Sequence, residues 1–349
     1  MGDPHRGRSR QAGLPVAPDH GRDPLAGRCP GKPALVSRAA PYASLTPDVV
    51  LAAVDAAGSW SDGRLLTLNS YENRVFQVGL EDGGFVVAKF YRPGRWSDAA
   101  ILEEHAFAQE LVEAEIPMVA PLVFDGQTLL RHEGFRYALY PRRGGRAPSL
   151  ESTDQLEWLG RLIGRMHAVG SRETFHDRAT LDRASMIENP ARAALASSLL
   201  PSHLANAYRD AVSRVDDAVA NRFEAVGPMR RIRLHGDCHP GNVLWTDAGP
   251  HFVDLDDARM GPAMQDLWML ASDPVTFDAL LEGYAQFRDL DPAELALVPA
   301  LRAMRQVHYA GWIAERWDDP AFPAAFPFAA KPRWWEQHVA DLHEAADAL

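Results

Sequence analysis

The sequence predicts an α+β protein of two lobes, a small β-rich N-lobe followed by a larger, mainly helical C-lobe. Three observations carry this. At 349 residues the chain exceeds what one hydrophobic core usually serves. Strand-like runs cluster before about residue 141 and helical periodicities after it. Between them, Pro141 to Pro148 packs three arginines, two glycines and two prolines into a polar break suited to a hinge. The predicted organisation is a disordered tail over 1–41, an N-lobe over 42–141 and a C-lobe over 142–349.

The tail is rich in Gly, Pro and Arg and offers little apolar surface to offset ordering entropy. Arg6, Arg8 and Arg10 suggest a targeting peptide, but no apolar stretch follows them. From Thr46 the pattern turns regular. Thr46-Pro47-Asp48 can cap a helix whose apolar face is Val49, Val50, Ala53 and Val54. Arg74–Val78 and Phe85–Lys89 are β-branched or aromatic, and Glu81-Asp-Gly-Gly84 between them has hairpin-turn chemistry.

A helix is expected over Ser97–Ala114, with Ile101, His105, Ala108 and Leu111 on one side. Leu122–Phe124, Thr128–Leu130 and Tyr137–Tyr140 are further strand candidates. Beyond the break, helices are expected at Gln155–Val169, Leu204–Phe223, Gln265–Leu270, Phe277–Phe287, Ala293–Arg316 and Trp334–Ala348, interrupted by a single short β region.

Composition narrows the function classes. A formal net charge of -11 without a Lys/Arg stripe argues against a nucleic-acid partner. No apolar run is long enough to cross a bilayer, so a soluble protein with no membrane partner is expected. Two cysteines, Cys29 and Cys238, make no disulfide framework and fit a reducing, cytoplasmic setting.

The densest chemistry lies in Leu234-His-Gly-Asp-Cys-His-Pro-Gly-Asn-Val-Leu-Trp245, followed after a turn by His251-Phe-Val-Asp-Leu-Asp-Asp257. In ATP-dependent phosphotransfer an Asp accepts the acceptor's hydroxyl proton, and an Asn after four intervening residues reaches the magnesium ion. Asp237 and Asn242 have that separation. A hairpin from Val243–Trp245 to His251–Val253 would return Asp254 to the same ion, so Asp254 is the expected second Mg2+ ligand. Carboxylate and amide oxygens suit Mg2+, and phosphate and water fill the rest of its shell. The competing reading is metal ligation by His235, Asp237 and His239 as a lone H-x-D-x-H. It leaves the Asn and the acidic hairpin unexplained.

An ATP site also needs a cation. Lys89 ends a strand where its ammonium can reach phosphates, although a lysine on a strand edge is commonly no more than solvated. Glu104 on the following helix supplies a partner that would hold it, with Glu103 as the alternative facing another way. The loop Leu68–Arg74 stands where many kinases have a glycine-rich clamp, yet has no glycine; Ser70 and Asn73 can donate to phosphate or simply form a turn. Asp256 and Asp257 are read as supporting the site. Asp266 either caps a helix or accepts hydrogen bonds from the catalytic-loop backbone. His167 and the tryptophans 312, 317, 334 and 335 are read as packing residues.

These residues resemble the aminoglycoside phosphotransferase and choline kinase-like family, and within it a bacterial branch of stress-response protein kinases. The stretches are Asn69–Arg74, Lys89–Pro93, Ile101–His105, Leu234–His239, Phe252–Arg259, Gln265–Met269 and Ala300–Arg305, and the likeness spans about Ser44 to Ala348. The resemblance implies a bilobal protein kinase-like fold. It also implies ATP- and Mg2+-dependent phosphorylation of protein serine and threonine, with autophosphorylation, by a cytoplasmic monomer active under envelope or oxidative stress. By motif, Asp237 is the proton acceptor, Asn242 and Asp254 hold Mg2+, and Ser70 lies at the ATP site. Pro240, where the resembled proteins have a small residue, and a hairpin longer by one residue depart from the pattern.

Two alternatives stand beside it. A small-molecule phosphotransferase acting on an aminoglycoside, choline or homoserine-like alcohol would use the same parts. A low-turnover nucleotide-binding scaffold is motivated by the missing glycine-rich loop.

Overall fold

The computed structural model describes residues 40–271 and 273–349. The tail expected over 1–41, except its last two residues, and Cys29 lie outside the described residues.

The first helix, α1 (Pro47–Ala56), starts as its sequence predicts: the Thr46 hydroxyl accepts from the Val49 amide and Pro47 fills the first turn. Three antiparallel strands follow, β1 (Ser61–Thr67), β2 (Arg74–Leu80) and β3 (Phe85–Phe90), with the Glu81–Gly84 turn closing the β2–β3 hairpin. Helix α2 (Asp98–Glu113), capped by Ser97, leads to β4 (Leu130–His132) and β5 (Phe135–Pro141). The sheet order is β1-β2-β3-β5-β4, so Lys89 sits on a central strand, paired with Val75 on one side and Ala138 on the other. Val50, Ala53 and Val54 of α1 pack on Val78, Val86, Phe90, Phe135 and Tyr137 to form the core of one sheet face.

The remainder is mostly helical: α3 (Thr153–Gly170), α4 (Asn189–Ala196), α5 (Ala205–Val226), then β6 (Ile232–Leu234), β7 (Val243–Thr246), β8 (Gly249–Phe252) and β9 (Arg259–Gly261), and finally α6 (Pro274–Ala285), α7 (Val298–Glu315), α8 (Ala321–Ala325) and α9 (Pro332–Asp347). Helices α3 and α6 approach so closely that a methyl group on Gly160 would stand 2.0 Å from the Leu280 carbonyl oxygen.

Several expectations are corrected. β1 is not among the expected strands; none of its residues is buried and one face is wholly exposed, so it shows no apolar alternation. Leu122–Phe124 is no strand, although the Leu122 amide bonds the Leu139 carbonyl, and β4 begins only at Leu130. The single β region expected after the hinge is two ribbons, β6 with β9 and β7 with β8. Gln265–Leu270 forms two short 3-10 turns, and α4 was missed because Asn189-Pro190 reads as a breaker whereas Pro is tolerated in a first turn. No helix among the described residues is long and apolar enough to cross a membrane.

Candidate active site

Strand β6 delivers the chain into the loop that carries Asp237, and the loop is held from behind. The buried Asp266 carboxylate accepts from the His235 amide at 2.7 Å and the Gly236 amide at 2.8 Å, while Gln265 Nε2 donates to the Gly236 carbonyl at 3.0 Å. Of the two roles the sequence offered Asp266, binding the loop backbone is the one observed. His167, a packing residue as expected, reaches Asp266 with Nε2 at 3.1 Å and Tyr284 with Nδ1 at 3.0 Å. Gly236 has φ +84, and a Cβ there would stand 2.1 Å from the Asp257 carbonyl oxygen, so the loop passes β9's approach only as glycine.

The β7–β8 ribbon does what its sequence predicts. The Val253 amide bonds the Asn242 carbonyl at 3.0 Å, and His235 Nε2 lies 3.0 Å from the Val253 carbonyl, so the residue after Val253 returns to the loop. That residue, Asp254, adopts a left-handed φ of 64, which Asp tolerates better than most side chains. Asn242 Nδ2 donates to the Asp237 carbonyl at 2.9 Å, which leaves its amide oxygen available to a metal ion. Hard oxygen donors from Asn242 and Asp254 fit Mg2+. Burial pushes the Cys238 thiol well above its ordinary pKa. Among the described residues no group of three or more His, Cys, Asp or Glu side chains is placed to hold a metal ion, which counts against the H-x-D-x-H reading.

Lys89 meets three carboxylates: Asp254 at 2.9 Å, Asp256 at 3.3 Å and Glu104 at 3.5 Å. Burial alone would lower its pKa, but the charges of Asp254, Asp256 and Glu104 outweigh it and hold the ammonium well above its usual range. Glu103, the alternative partner, turns away and accepts from the amides of His176, Asp177 and Arg178. Asp256 also pairs with Arg95, and Asp257 with Arg95 and Arg259. Both acids thus brace the site.

Asp237 itself is asymmetric. Its Oδ1 accepts from Arg305 at 2.6 Å, and its Oδ2 lies 3.4 Å from His239 Nε2. Burial would raise this carboxyl, but the His239 hydrogen bond and the Arg305 charge more than offset it and leave the pKa at about 2.

Two cavities adjoin here. One of about 300 Å3 is lined by Val75, Val87, Tyr140, Leu244 and Val253, with Lys89 and Glu104 at its polar end. The other, of about 760 Å3, is lined by Asp237, Arg305, Tyr309 and Trp312. Ser70, Asn242 and Asp254 line both, so the oxygen donors stand at the junction. Within the Leu68–Arg74 loop, the Asn73 carboxamide oxygen is spent on the Arg92 amide, whereas Ser70 faces both cavities. Glu72 ties the loop to α7 through Trp312 Nε1 at 2.6 Å and Arg316 at 2.5 Å. Trp312 is therefore a seam residue, while Trp335 is fully buried.

Sequence reasoning did not assign Arg305, Glu72 or Arg95. Arg305 lies in the Ala300–Arg305 stretch, but a partner 68 positions away leaves no local signal.

The pattern of the phosphotransferase enzyme family matches residues 65–298. Stress response kinase A of Escherichia coli O157:H7 is 44% identical over 313 residues, covering 88% of this chain and 94% of that protein. Serine/threonine protein kinase RdoA of Salmonella typhimurium strain LT2 is 42% identical over the same coverage. Among solved structures, amicoumacin kinase hAmiN in complex with AMP-PNP, Ca2+ and Ami has a TM-score of 0.66 at 19% identity, over 84% of this chain and 92% of that one, which shows a shared fold. On the family match, the near full-length relatives and the kinase-like architecture together, the chain belongs to the phosphotransferase enzyme family.

Proposed function

We propose that this protein is an ATP- and Mg2+-dependent protein serine/threonine kinase. It phosphorylates hydroxyls on proteins, itself included, as a cytoplasmic monomer. The observation that carries the reading is the convergence of Asp237, Asn242, Asp254 and Lys89 around the junction of two cavities, one apolar with a cationic end and the other ending at Asp237. The relatives named as stress response and serine/threonine kinases favour a protein acceptor.

In this reading the apolar cavity takes the adenine between Val75, Val87, Leu244 and Val253. Lys89 neutralises the α and β phosphates, and Glu104 keeps its ammonium in place. Ser70 donates to phosphate from the loop. Asn242 and Asp254 would hold Mg2+, which would supply positive charge to the phosphate oxygens. The acceptor hydroxyl comes from the larger cavity, its oxygen bonds the γ-phosphorus, the bond to ADP breaks, and the hydroxyl proton passes to Asp237. A carboxylate with a pKa of about 2 is a weak base. It is ionised throughout the physiological range, and its main task is to align the hydroxyl, which suits a transition state that needs little proton removal.

A second reading, transfer to a small alcohol, is favoured by the size of the larger cavity, about 760 Å3, which lies within the usual range of small-molecule sites. Incubation with γ-labelled ATP and Mg2+ separates the readings. Label on serine or threonine of the protein or of an added protein, absent with Asp237→Ala, supports the kinase. Label found only on small alcohols supports the second reading. Labelling by Asp237→Ala at the parent rate would remove Asp237 as the base.

A further inference from the structure

We propose that Arg305 is a positioning residue for phosphoryl transfer: it holds Asp237 by Oδ1 and so presents Oδ2 to the acceptor hydroxyl. The inference rests on the reading of Asp237 as the base.

Helix α7 packs its Leu301, Met304, Val307 and Ala310 face into the core, which turns Arg305, His308, Tyr309 and Trp312 to the larger cavity at helical spacing. Other arginines on that wall are committed elsewhere: Arg95 to Asp256 and Asp257, Arg259 to Asp257, Arg316 to Glu72 and Glu315. Among the described residues Arg305 has one partner, the Asp237 carboxylate, at 2.6 Å.

The pair is partly open to solvent. The Arg305 side chain is 40% exposed and that of Asp237 25%, a setting in which ion pairs contribute little to folding. Its effect falls on the geometry of the carboxylate. A carboxylate on a two-torsion side chain can turn either oxygen to a hydroxyl, and the wrong rotamer places the hydroxyl out of line with the γ-phosphorus.

The surroundings break that symmetry. His239 Nδ1 accepts from the Gly241 amide at 3.0 Å, which puts the imidazole proton on Nε2, facing Oδ2 at 3.4 Å. Oδ1 is thus tightly held and Oδ2 only loosely, so Oδ2 is the oxygen that exchanges its contact for the acceptor. A lysine at 305 keeps the charge but offers a point donor on a more flexible stem, so it restores the placement only in part.

The test compares Arg305→Met, Arg305→Lys, Asp237→Ala and the Asp237→Ala/Arg305→Met double variant in single-turnover transfer from labelled ATP. Melting temperatures confirm that each is folded. Arg305→Met is expected to lower kcat about 10²-fold, the cost of a misplaced reacting group, with KM for ATP unchanged. Arg305→Lys should recover part of the loss, and the double variant should match Asp237→Ala, because a residue acting through Asp237 has nothing left to act on. Parent-like kcat in Arg305→Met while Asp237→Ala is inactive would overturn the proposal and leave the base assignment standing. A double variant slower than Asp237→Ala would also overturn it, since Arg305 would then act independently. Parent-like transfer by Asp237→Ala would instead defeat the base assignment itself.

Discussion

Replacing Asp266 by Asn tests how the loop that carries Asp237 is held. The carboxylate is fully buried and serves three donors: the His235 and Gly236 amides at 2.7 and 2.8 Å and His167 Nε2 at 3.1 Å. An asparagine keeps one acceptor oxygen. Whichever way its amide turns, its NH2 group faces one of the two backbone amides, donor against donor. That loses a hydrogen bond to a charged acceptor and strands a buried N–H, a sum of about 3 kcal/mol. The readout is urea unfolding of Asp266→Asn beside the parent, where the midpoint should fall with the slope unchanged. Transfer from ATP by the fraction that remains folded should also fall, because Asp237 lies one residue beyond the anchored amides. A variant within about 1 kcal/mol of the parent that transfers phosphate at the parent rate would refute the anchoring argument.

Other consequences follow from packing and titration. Gly160→Ala should destabilise by about 1–3 kcal/mol despite the better helix propensity of alanine, since its methyl would meet the Leu280 carbonyl at 2.0 Å; an unchanged or raised melting temperature would count against that contact. His105 is buried between Tyr91 and Thr128, and burial, helped by the charges of Lys89 and Arg178, lowers its pKa to about 3. The unfolded chain therefore binds a proton at His105 below about pH 6.5 that the folded chain refuses until about pH 3. Stability is full above that window and falls with pH inside it by up to ~1.4 kcal/mol per unit. His105→Gln should flatten this slope in unfolding midpoints measured between pH 6.5 and 4.5, and an unaltered slope would exclude His105 as its source.

Much of the site could be read from the chain because the chemistry is local. Asp237 and Asn242 share one loop, and Asp254 follows a ribbon whose residues announce a turn, so short-range geometry alone brings the three together. The sequence offers Glu104 as a partner that would hold Lys89, but their meeting requires the sheet to pack on α2. Helix boundaries were legible where caps are explicit, as at Thr46 and Ser97, each of which accepts from an amide of its first turn.

The misreadings came where pattern and context part. β1 carries too little buried surface to alternate, and α4 opens with a proline that reads as a break.

By itself the sequence determined the α+β plan of a β-rich part followed by a helical one and the closeness of Asp237, Asn242 and Asp254 along one loop and ribbon, because residue type and short spacing constrain local geometry directly. Only the tertiary structure decided that Arg305 grips Asp237, that Glu72 ties its loop to α7, and which of its two roles Asp266 takes. Those contacts join residues 68, 240 and 31 positions apart, and no periodicity in a chain encodes which distant side chains folding will bring within a hydrogen bond of each other.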